Sequence, residues 1–441
     1  MNGRQMPRFV RNTNCPVAWL AKLLRQPGDD ALEGLAERRH DPETIRHAFE
    51  SGEYPYKTRI RAADYEARAS ALRRIFDPED ASPKLWDEIV RYATLAANSH
   101  NTQPWRFAIQ ADNRVRIDIA RASDTNVYEF DHGRPTVLSA GFLLESLRIA
   151  ASRFGHAMQW QESPRGSDTL SLDISFVADP SIREDPLFAT LRTRSVDRRR
   201  YRLTPLLPEQ KAALAATLGE GLALRWFERA GERWQITRLN ARATDIRLRI
   251  PEAFAIHREI LDWSRDFSET GIPVHAVGMN PFSIIAMQWL MRRWPAMDFA
   301  NRYLGTTLLS RLELDLVPGL LCAAHFVVTQ TGTDPDDPIR RGLQNGQALQ
   351  RFWLTATALG LVMQPSPATL CFAYYGTRGE RFTEDVAVLE KAKQLASKFT
   401  RLIPEGPDGT VFIGRIGAPA SRQIRARSVR RPLSSLVTER P

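Results

Sequence analysis

Two long apolar segments with helical spacing, residues 136–154 and 346–361, each lie beside short runs that alternate like strands. One such run, 323–329, precedes the second helix. The first helix is surrounded by four of them, at 105–110, 115–120, 157–161 and 170–178. No strict repeat is visible, but the recurrence predicts an α+β fold with a central, mainly antiparallel sheet flanked by long helices. We expect this unit to be built twice, as two fused half-units around a shared core.

Asp-Pro pairs mark the expected boundaries of these units. Asp77-Pro78 closes an opening stretch of short helical segments, and Asp179-Pro180 closes the first group of strands. With 441 residues the chain is long enough for two or three domain-sized units. We therefore expect a helical N-terminal extension over residues 1–78, a first half-unit over 79–184 and a second half-unit over 185–441.

An unusual insertion is expected within the second half-unit, at about residues 277–318. Asn280-Pro281 is typical of a helix start, an N-cap followed by proline at the first helical position. The helix that follows is apolar nearly all round and rich in Met and Trp. Two interpretations stay open. The helix either packs in the core, or forms a lid over an apolar ligand, because Met side chains adapt to flat rings.

The charge balance is strongly basic, with a net charge of +10 and a pI of about 9.8. A nucleic-acid surface is one explanation. However, arginine far outnumbers lysine and the arginines are spread along the whole chain. This pattern favours an anionic small ligand or cofactor over nucleic acid.

Cysteine usage and hydropathy predict a cytoplasmic protein. Cys15, Cys322 and Cys371 are odd in number and far apart, which is typical of a reducing compartment. The mean hydropathy is -0.35, and no apolar run reaches the roughly 18–20 residues of a membrane-spanning helix. The N-terminus does not resemble a signal peptide. We expect no membrane partner.

Several common catalytic motifs are absent from the sequence. There is no glycine-rich phosphate loop, no H-E-x-x-H and no G-x-S-x-G, and the eight histidines show no metal-ligand spacing. The sequence therefore argues against a Rossmann dinucleotide domain, a P-loop NTPase, a zincin and an α/β-hydrolase. We expect no metal site, and any cofactor must be held without a glycine-rich loop.

The most informative segment is a polar turn, Asn98-Ser99-His100-Asn101-Thr102-Gln103-Pro104, between a helix and a strand that opens at Trp105. Carboxamide side chains both donate and accept hydrogen bonds, so they suit the edge of a planar heterocycle or the hydroxyls of a ribityl chain. The alternative is an ordinary polar turn that caps the helix.

Two basic segments could hold a phosphate. Arg192 to Tyr201 combines arginines with a serine, and guanidinium groups match phosphate oxygens in geometry. The tail carries Gly414-Arg415-Ile416-Gly417-Ala418-Pro419 followed by Arg425, Arg427, Arg430 and Arg431. The alternatives are a solvated basic face for the first segment and a disordered basic tail for the second.

Together these motifs resemble those of the nitroreductase-like FMN-binding flavoproteins. The turn is similar to the family's "APSxxNxQPWxF" signature, with Ala96-Ala97-Asn98-Ser99 at the Ala-Pro-Ser position. The arginine segment is similar to "RRSxRxF", and the tail to "RxGxP…(K/R)xR+PLxxVV". The arginine segment follows the turn by about 90 residues instead of preceding it. That order resembles the internally duplicated, Acg-like branch, in which one chain imitates the homodimer.

The resemblance implies the nitroreductase-like fold, FMN as cofactor, and a set of binding residues. From the turn these are Asn98, Ser99, Asn101 and Gln103. From the arginine segment they are Arg194, Ser195 and Arg198, and from the tail they are Arg427 and Arg430. No residue is nominated as a catalytic acid or base.

The implied activity is hydride transfer from NAD(P)H through the flavin to a nitro, quinone or similar small-molecule acceptor. The insertion at about 277–318 would form the lid of that branch. The alternative is a flavin-binding or flavin-sequestering protein whose lidded site shows little NAD(P)H reductase activity. The resemblance also implies either a pseudo-dimeric monomer or a homodimer.

Overall fold

The computed structural model describes residues 85–111, 113–121, 126–163, 169–332, 337–421 and 424–438. The predicted helical extension over residues 1–78 lies outside these ranges. Within them, no helix is both long and apolar enough to cross a bilayer.

The first group of elements contains two helices of two turns or more and four strands. In chain order these are α1 (Leu85–Ala93), β1 (Trp105–Ala111), β2 (Arg114–Ala120), α2 (Phe130–Arg153), β3 (His156–Ser163) and β4 (Thr169–Ala178). The four predicted strands and the long helix between them are confirmed. Asn113, at the predicted turn, joins β1 to β2.

A longer second group follows. It begins with α3 (Thr190–Thr193), α4 (Pro208–Ala216), β5 (Leu222–Phe227), α5 (Ala230–Arg247) and α6 (Pro251–Ile260). Three two-residue strands come next: β6 (Leu261–Asp262), β7 (Phe267–Ser268) and β8 (Ile272–Pro273). The insertion then contributes α7 (Pro281–Leu290), α8 (Trp294–Tyr303), α9 (Thr306–Arg311), a π-helix (Leu312–Leu316) and α10 (Val317–Leu320).

The remaining elements complete the second sheet and the tail. They are β9 (Ala324–Gln330), α11 (Pro338–Ala358), β10 (Val362–Pro365), α12 (Pro367–Arg378), α13 (Val386–Leu402), α14 (Gly406–Gly409), β11 (Thr410–Gly417), β12 (Arg427–Ser428) and β13 (Val437–Thr438). The helix predicted from residue 346 begins eight residues earlier. Asp337 caps it by accepting from the backbone N–H of Arg340, and Pro338 occupies its first position.

The fold is α+β, with two larger sheets that share one strand order. The first runs β13-β1-β2-β4-β3 and the second β10-β11-β9-β5. Apart from β13, every neighbouring pair in both sheets is antiparallel. Matching β1, β2, β3 and β4 to β5, β9, β10 and β11 makes the two orders identical. In each sheet the long helix, α2 or α11, lies between the second and third strands in chain order.

The two prolines of Gln364-Pro365-Ser366-Pro367 are typical of a loop, but the structure has an edge strand that ends at Pro365. Residues 362–365 form β10, and Pro365 pairs with Gly414 of β11. Proline lacks the N–H that a central strand would need, but an edge strand tolerates it. For this reason the sequence pattern did not predict β10.

The long helices α2 and α11 cross in direct backbone contact. A Cβ built on Gly141 would lie 2.2 Å from the carbonyl oxygen of Leu343, and one on Gly346 would lie 2.3 Å from that of Leu138. Only glycine permits this approach. One hydrophobic core surrounds the crossing and takes large side chains from both sheets, among them Trp105, Phe107, Phe326, Phe352 and Ile416. A single hydrophobic core thus takes residues from both of the larger sheets.

The C-terminal chain returns to the first sheet. Strand β13 pairs in parallel with β1, and the N–H of Phe107 donates to the carbonyl of Leu436. Strand β12 pairs with β7. The tail thus links the first sheet to the residues that precede the insertion.

The helix predicted to be apolar all round, α7, is buried along one side only. Asn280 caps it as predicted, accepting from the N–H groups of Phe282 and Ser283. Leu290 joins a small core with residues of α6 and α8. Phe282 is 84% exposed and Trp289 61% exposed, so α7 is packed into a core along one side only.

Candidate functional site

The polar turn after α1 has a strained backbone. His100, Asn101 and Gln103 have φ angles of 52°, 60° and 50°, in the left-handed region that residues with a Cβ seldom adopt. Strain of this kind costs about 1–3 kcal/mol for each residue and persists only where the surroundings enforce it. The turn is therefore held in shape by its neighbours.

Asn101 and Gln103 are two buried residues that supply this restraint. Asn101 Nδ2 donates to the carbonyls of Glu269 and Val429 at 3.1 and 3.0 Å. Gln103 Nε2 donates to Glu269 at 2.8 Å, and its Oε1 accepts from the N–H of Arg431 at 2.9 Å. Both side chains are committed to joining the turn to distant segments.

Asn98 and Ser99 make only local contacts. Asn98 Oδ1 accepts from the Gln103 N–H at 3.1 Å, and its Nδ2 donates to the carbonyl of Ala96. Ser99 Oγ lies 3.3 Å from Nδ1 of His100. Of the four turn residues predicted to bind a ligand, Ser99 is the least engaged by the protein.

Arg430 is fully engaged by the chain just after α1. Its Nε donates to Thr94, its Nη2 to Leu95 and Ala96, and its Nη1 to Val429 and to Oδ1 of Asn101. An arginine has five N–H donors, and these five bonds use all of them. Arg430 thus satisfies the carbonyls that a helix end leaves unpaired.

Arg194 and Arg427 lie beside Arg430. Arg194 is buried, with its guanidinium 4.7 Å from the ring centre of Trp353 and its Nη2 donating to Leu95 at 3.1 Å. Its Nε is buried and has no hydrogen-bond partner among the described residues. Arg427 Nη2 donates to the carbonyls of Arg192 and Arg194. We call Arg194, Arg427 and Arg430 the arginine cluster.

Within the part of the chain that the structure describes, no acid compensates the positive charge of the arginine cluster. Burial lowers the pKa of Arg194 well below its usual value, and the charges of Arg430 and Arg427 lower it further. Burial also lowers the pKa of Arg427, and burial and Arg427 lower that of Arg430 to about 9. Buried cations without a counter-charge are costly. A bound phosphate would remove this cost, so the cluster fits the phosphate of an anionic cofactor.

Ser195 and Arg198 lie outside the arginine cluster. Ser195 Oγ reaches only the carbonyl of Val196, at 3.4 Å. Arg198 Nη1 donates to the carbonyl of Ala276 at 3.4 Å, and a Cβ on Gly278 would lie 3.1 Å from the carbonyl of Arg198. Arg198 therefore contacts the start of the predicted insertion.

A second polar group surrounds Arg198. Arg415, on β11, donates to the carbonyls of Arg198 and Arg199 at 2.8 Å, and its guanidinium lies 4.1 Å from the ring centre of Tyr201. Its Nη1 is buried, and no residue in the described ranges forms a hydrogen bond with it. Burial, opposed by Tyr201 and assisted by Arg247, lowers the pKa of Arg198 to about 10.

Two histidines and a tyrosine complete this group. Tyr128 Oη lies 2.8 Å from Nε2 of His257, and the His100 ring packs edge-on against Tyr128 at 5.3 Å. Burial, followed by Arg198 and Arg247, lowers the pKa of His100 to about 4. Burial, followed by Arg247 and His100, lowers that of His257 to about 3. Both histidines are neutral at pH 7.

The sequence pattern did not identify most of this second group. Tyr128, Arg247 and His257 stand in no motif, and they meet only because the fold brings the turn before α2 together with α5 and α6. Arg415 lies within the tail motif, next to the glycines, and could have been nominated from it. Among the residues that the structure describes, no set of three or more His, Cys, Asp or Glu side chains could hold a metal ion.

Comparison with known proteins points in the same direction as the motifs. Two Mycobacterium tuberculosis proteins, named "Putative NAD(P)H nitroreductase Rv3131" and "Putative NAD(P)H nitroreductase MT3217", are 26% identical to this chain over 282 residues. The match covers 63% of this chain and 74% of each relative. This chain is their distant homologue.

A shorter match extends the comparison. The M. tuberculosis protein named "Putative NAD(P)H nitroreductase acg" is 33% identical over 84 residues, or 19% of this chain and 24% of the relative. No protein-family model matches the chain.

Proposed function

We propose that this protein is an FMN-dependent oxidoreductase of the nitroreductase type. The observation that carries the proposal is the convergence of the polar turn, the 192–201 segment and the C-terminal tail at the arginine cluster. These segments lie about 90 and 230 residues apart in sequence, yet they share hydrogen bonds and leave buried positive charge uncompensated. The distant homology to proteins named NAD(P)H nitroreductases supports the same conclusion.

Internal duplication is part of the proposal. The identical strand orders of the two large sheets support two fused half-units, 79–184 and 185–441, in one pseudo-dimeric chain. The insertion between β5 and β9, and the helices between β10 and β11, account for the lack of a visible sequence repeat. A homodimer of this chain remains the alternative assembly.

FMN, when bound, supplies the chemistry of accepting and donating a hydride. Arg194 and Arg427 would hold its phosphate, whereas Arg430 would act by fixing the turn and the tail. Ser99 and Asn98 would present polar groups to it, and Arg198 and Arg415 would supply positive charge, which stabilises a reduced, anionic flavin. NAD(P)H is the proposed reductant, and a nitro, quinone or similar small molecule the acceptor.

The alternative function is flavin binding with little turnover, and the insertion is the feature that favours it. Residues Ala276 and Gly278 lie directly against Arg198. Glu313 accepts from Ser283 and Asn280, which fixes α7 to the π-helix. We propose residues 277–318 as a lid, and a lid fastened in this way could exclude NAD(P)H.

Anaerobic reduction separates the two functions. Full-length protein loaded with FMN is mixed with NADH or NADPH, and the flavin absorbance is followed, with dithionite as a positive control for reduction. Bleaching by NAD(P)H is the expected result. A flavin that dithionite bleaches but neither nucleotide does would overturn the reductase proposal in favour of flavin binding.

A further inference from the structure

Arg247 lies at the centre of the second polar group, and no described residue is a hydrogen-bond or ion-pair partner of its side chain. It ends α5, and its Nε is buried without a hydrogen bond. Within the described ranges its side chain forms no hydrogen bond or ion pair. Its charge acts on groups from five different segments, namely His100, Tyr128, Arg198, His257 and Asp315. A cation placed in this way is suited to a ligand.

The charges around Arg247 leave the group positive. Arg198, Arg311 and Arg415 are the other cations that face it, and Asp315 is the carboxylate that interacts with it. Burial raises the pKa of Asp315, which weakens its ability to neutralise the arginines. Asp197 also acts on Arg198, and Asp245 lies 3.9 Å from Arg311, but these acids already pair with Arg199 and with Arg249 and Lys391. Positive charge is therefore in excess around Arg247, and an anion would be favoured there.

The Tyr128–His257 pair has one hydrogen-bond donor that the contact between the two residues does not use. His257 is neutral and has one N–H, and Tyr128 has one O–H. The hydrogen bond between them uses one of these protons, whichever tautomer is present. The other, on His257 Nδ1 or on Tyr128 Oη, has no acceptor among the described side chains and carbonyls. It can donate to a bound ligand.

Aromatic rings border the same place. The rings of His100, His257 and Phe372 lie 5.3, 5.7 and 6.1 Å from that of Tyr128. Such surroundings favour a flat ring over a flexible chain. His100 and Arg198 also connect this group to the proposed flavin site, since they belong to the same segments as Ser99 and Arg194.

We propose that Arg247 and the Tyr128–His257 pair form a binding subsite for the carboxylate of a planar aromatic electron acceptor. Guanidinium groups bind carboxylates through paired hydrogen bonds, and the spare Tyr–His donor adds a third. The role of this ligand as an electron acceptor rests on the proposed function. The binding itself does not, because it uses residues of the chain alone.

The test compares 4-nitrobenzoate with 4-nitrobenzamide, which has nearly the same shape but no charge. Binding to the full-length protein is measured by isothermal titration calorimetry without NAD(P)H. Nitrobenzoate should bind about tenfold or more tightly than the amide, the effect of a charge-assisted hydrogen bond. Inorganic phosphate should displace it poorly. Equal affinities, or displacement by phosphate at equal concentration, would overturn the carboxylate assignment.

Variants locate the site. Arg247→Gln should reduce the preference for nitrobenzoate over the amide to about twofold or less, while the affinity for the amide stays unchanged. Arg247→Lys should restore part of this preference. Tyr128→Phe should weaken nitrobenzoate binding by about threefold or more. Arg238→Gln, on the exposed side of the same helix, is the control and should change nothing. An Arg247→Gln protein that is folded by circular dichroism and keeps the preference would refute the proposal.

The outcomes separate the two proposals. If the protein prefers nitrobenzoate but takes up no flavin, the subsite is supported and the proposed function is contradicted. If the protein reduces 4-nitrobenzamide through its flavin but shows no preference for nitrobenzoate, the proposed function is supported and the subsite is contradicted.

Discussion

Arg430 and Arg194 show two different uses of a buried guanidinium within one cluster. Arg430 was the tail residue that best matched the family motif, yet the structure uses its five donors to hold Thr94, Leu95, Ala96, Val429 and Asn101. Arg194 keeps an unpaired Nε. The sequence motif could not distinguish them, because it records residue type and not the partners that the fold supplies.

Replacing Arg430 should therefore act on stability. Arg430→Gln removes bonds to the carbonyls after α1 and to Asn101, leaving acceptors unpaired. The free energy of unfolding should fall by about 3 kcal/mol or more. Urea denaturation at pH 7 measures this change. The exposed control, Arg238→Gln, should stay within about 0.5 kcal/mol; a similar small effect for Arg430→Gln would contradict the structural role.

The two histidines of the second polar group, His100 and His257, predict a dependence of stability on pH. In the folded protein the pKa values of His100 and His257 are lowered to about 4 and about 3, whereas an unfolded histidine titrates near 6.5. Between these values the unfolded chain binds more protons than the folded one. Their contribution is therefore complete above about pH 6.5 and declines as the pH falls.

This contribution can be isolated with a variant. Each histidine adds a slope of up to about 1.4 kcal/mol per pH unit over its interval. Unfolding by urea is measured from pH 7 to pH 4 for the parent and for His257→Gln, which cannot be protonated in this range. The variant should show a shallower loss of stability, and parallel curves would show that His257 does not titrate as described.

At the level of elements, the sequence predicted the regular parts and missed the exceptions. Strands β1 to β4, the strand at β9 and both long helices follow simple periodicities and were predicted. Strand β10 was missed because Pro365 marks it as a loop. Arg415 was assigned to a basic tail motif, although β11 is buried beside β9. Alternation disappears in such a strand because both of its faces are covered.

The sequence pattern did not predict the crossing of α2 and α11. Because the two backbones touch there, adding one methyl group should lower the stability of the protein strongly. Gly141→Ala places a Cβ 2.2 Å from the Leu343 carbonyl, so the helices must separate. We expect a loss of about 3 kcal/mol or more in the free energy of unfolding. Gly231→Ala in α5 is the matched control.

Gly231 has no atom within 4 Å of the added Cβ. Alanine should therefore stabilise that helix by about 0.4–1 kcal/mol. Thermal unfolding of both variants provides the measurement. A Gly141→Ala protein as stable as the parent would show that the helices do not approach as closely as the structure has them.

For the whole molecule, the proposed site depends on chain segments that only the complete fold brings together. The turn belongs to the proposed first half-unit, the 192–201 segment opens the second, and the tail returns to pair with β1. The sequence could supply each segment through its resemblance to a family. It could not supply their contacts, nor the second group around Arg247, because these depend on packing between elements distant in the chain.

Binding of FMN and riboflavin to the flavin-free protein tests the central claim most directly. The two flavins differ only in the phosphate, and quenching of their fluorescence reports binding. Arg194→Gln should lower the affinity for FMN by about tenfold or more, because it removes a charge-assisted contact with the phosphate. The affinity for riboflavin should change by less than about twofold. Arg238→Gln should alter neither. A parent protein that does not bind FMN, or an Arg194→Gln protein that binds FMN as tightly as the parent, would contradict the account.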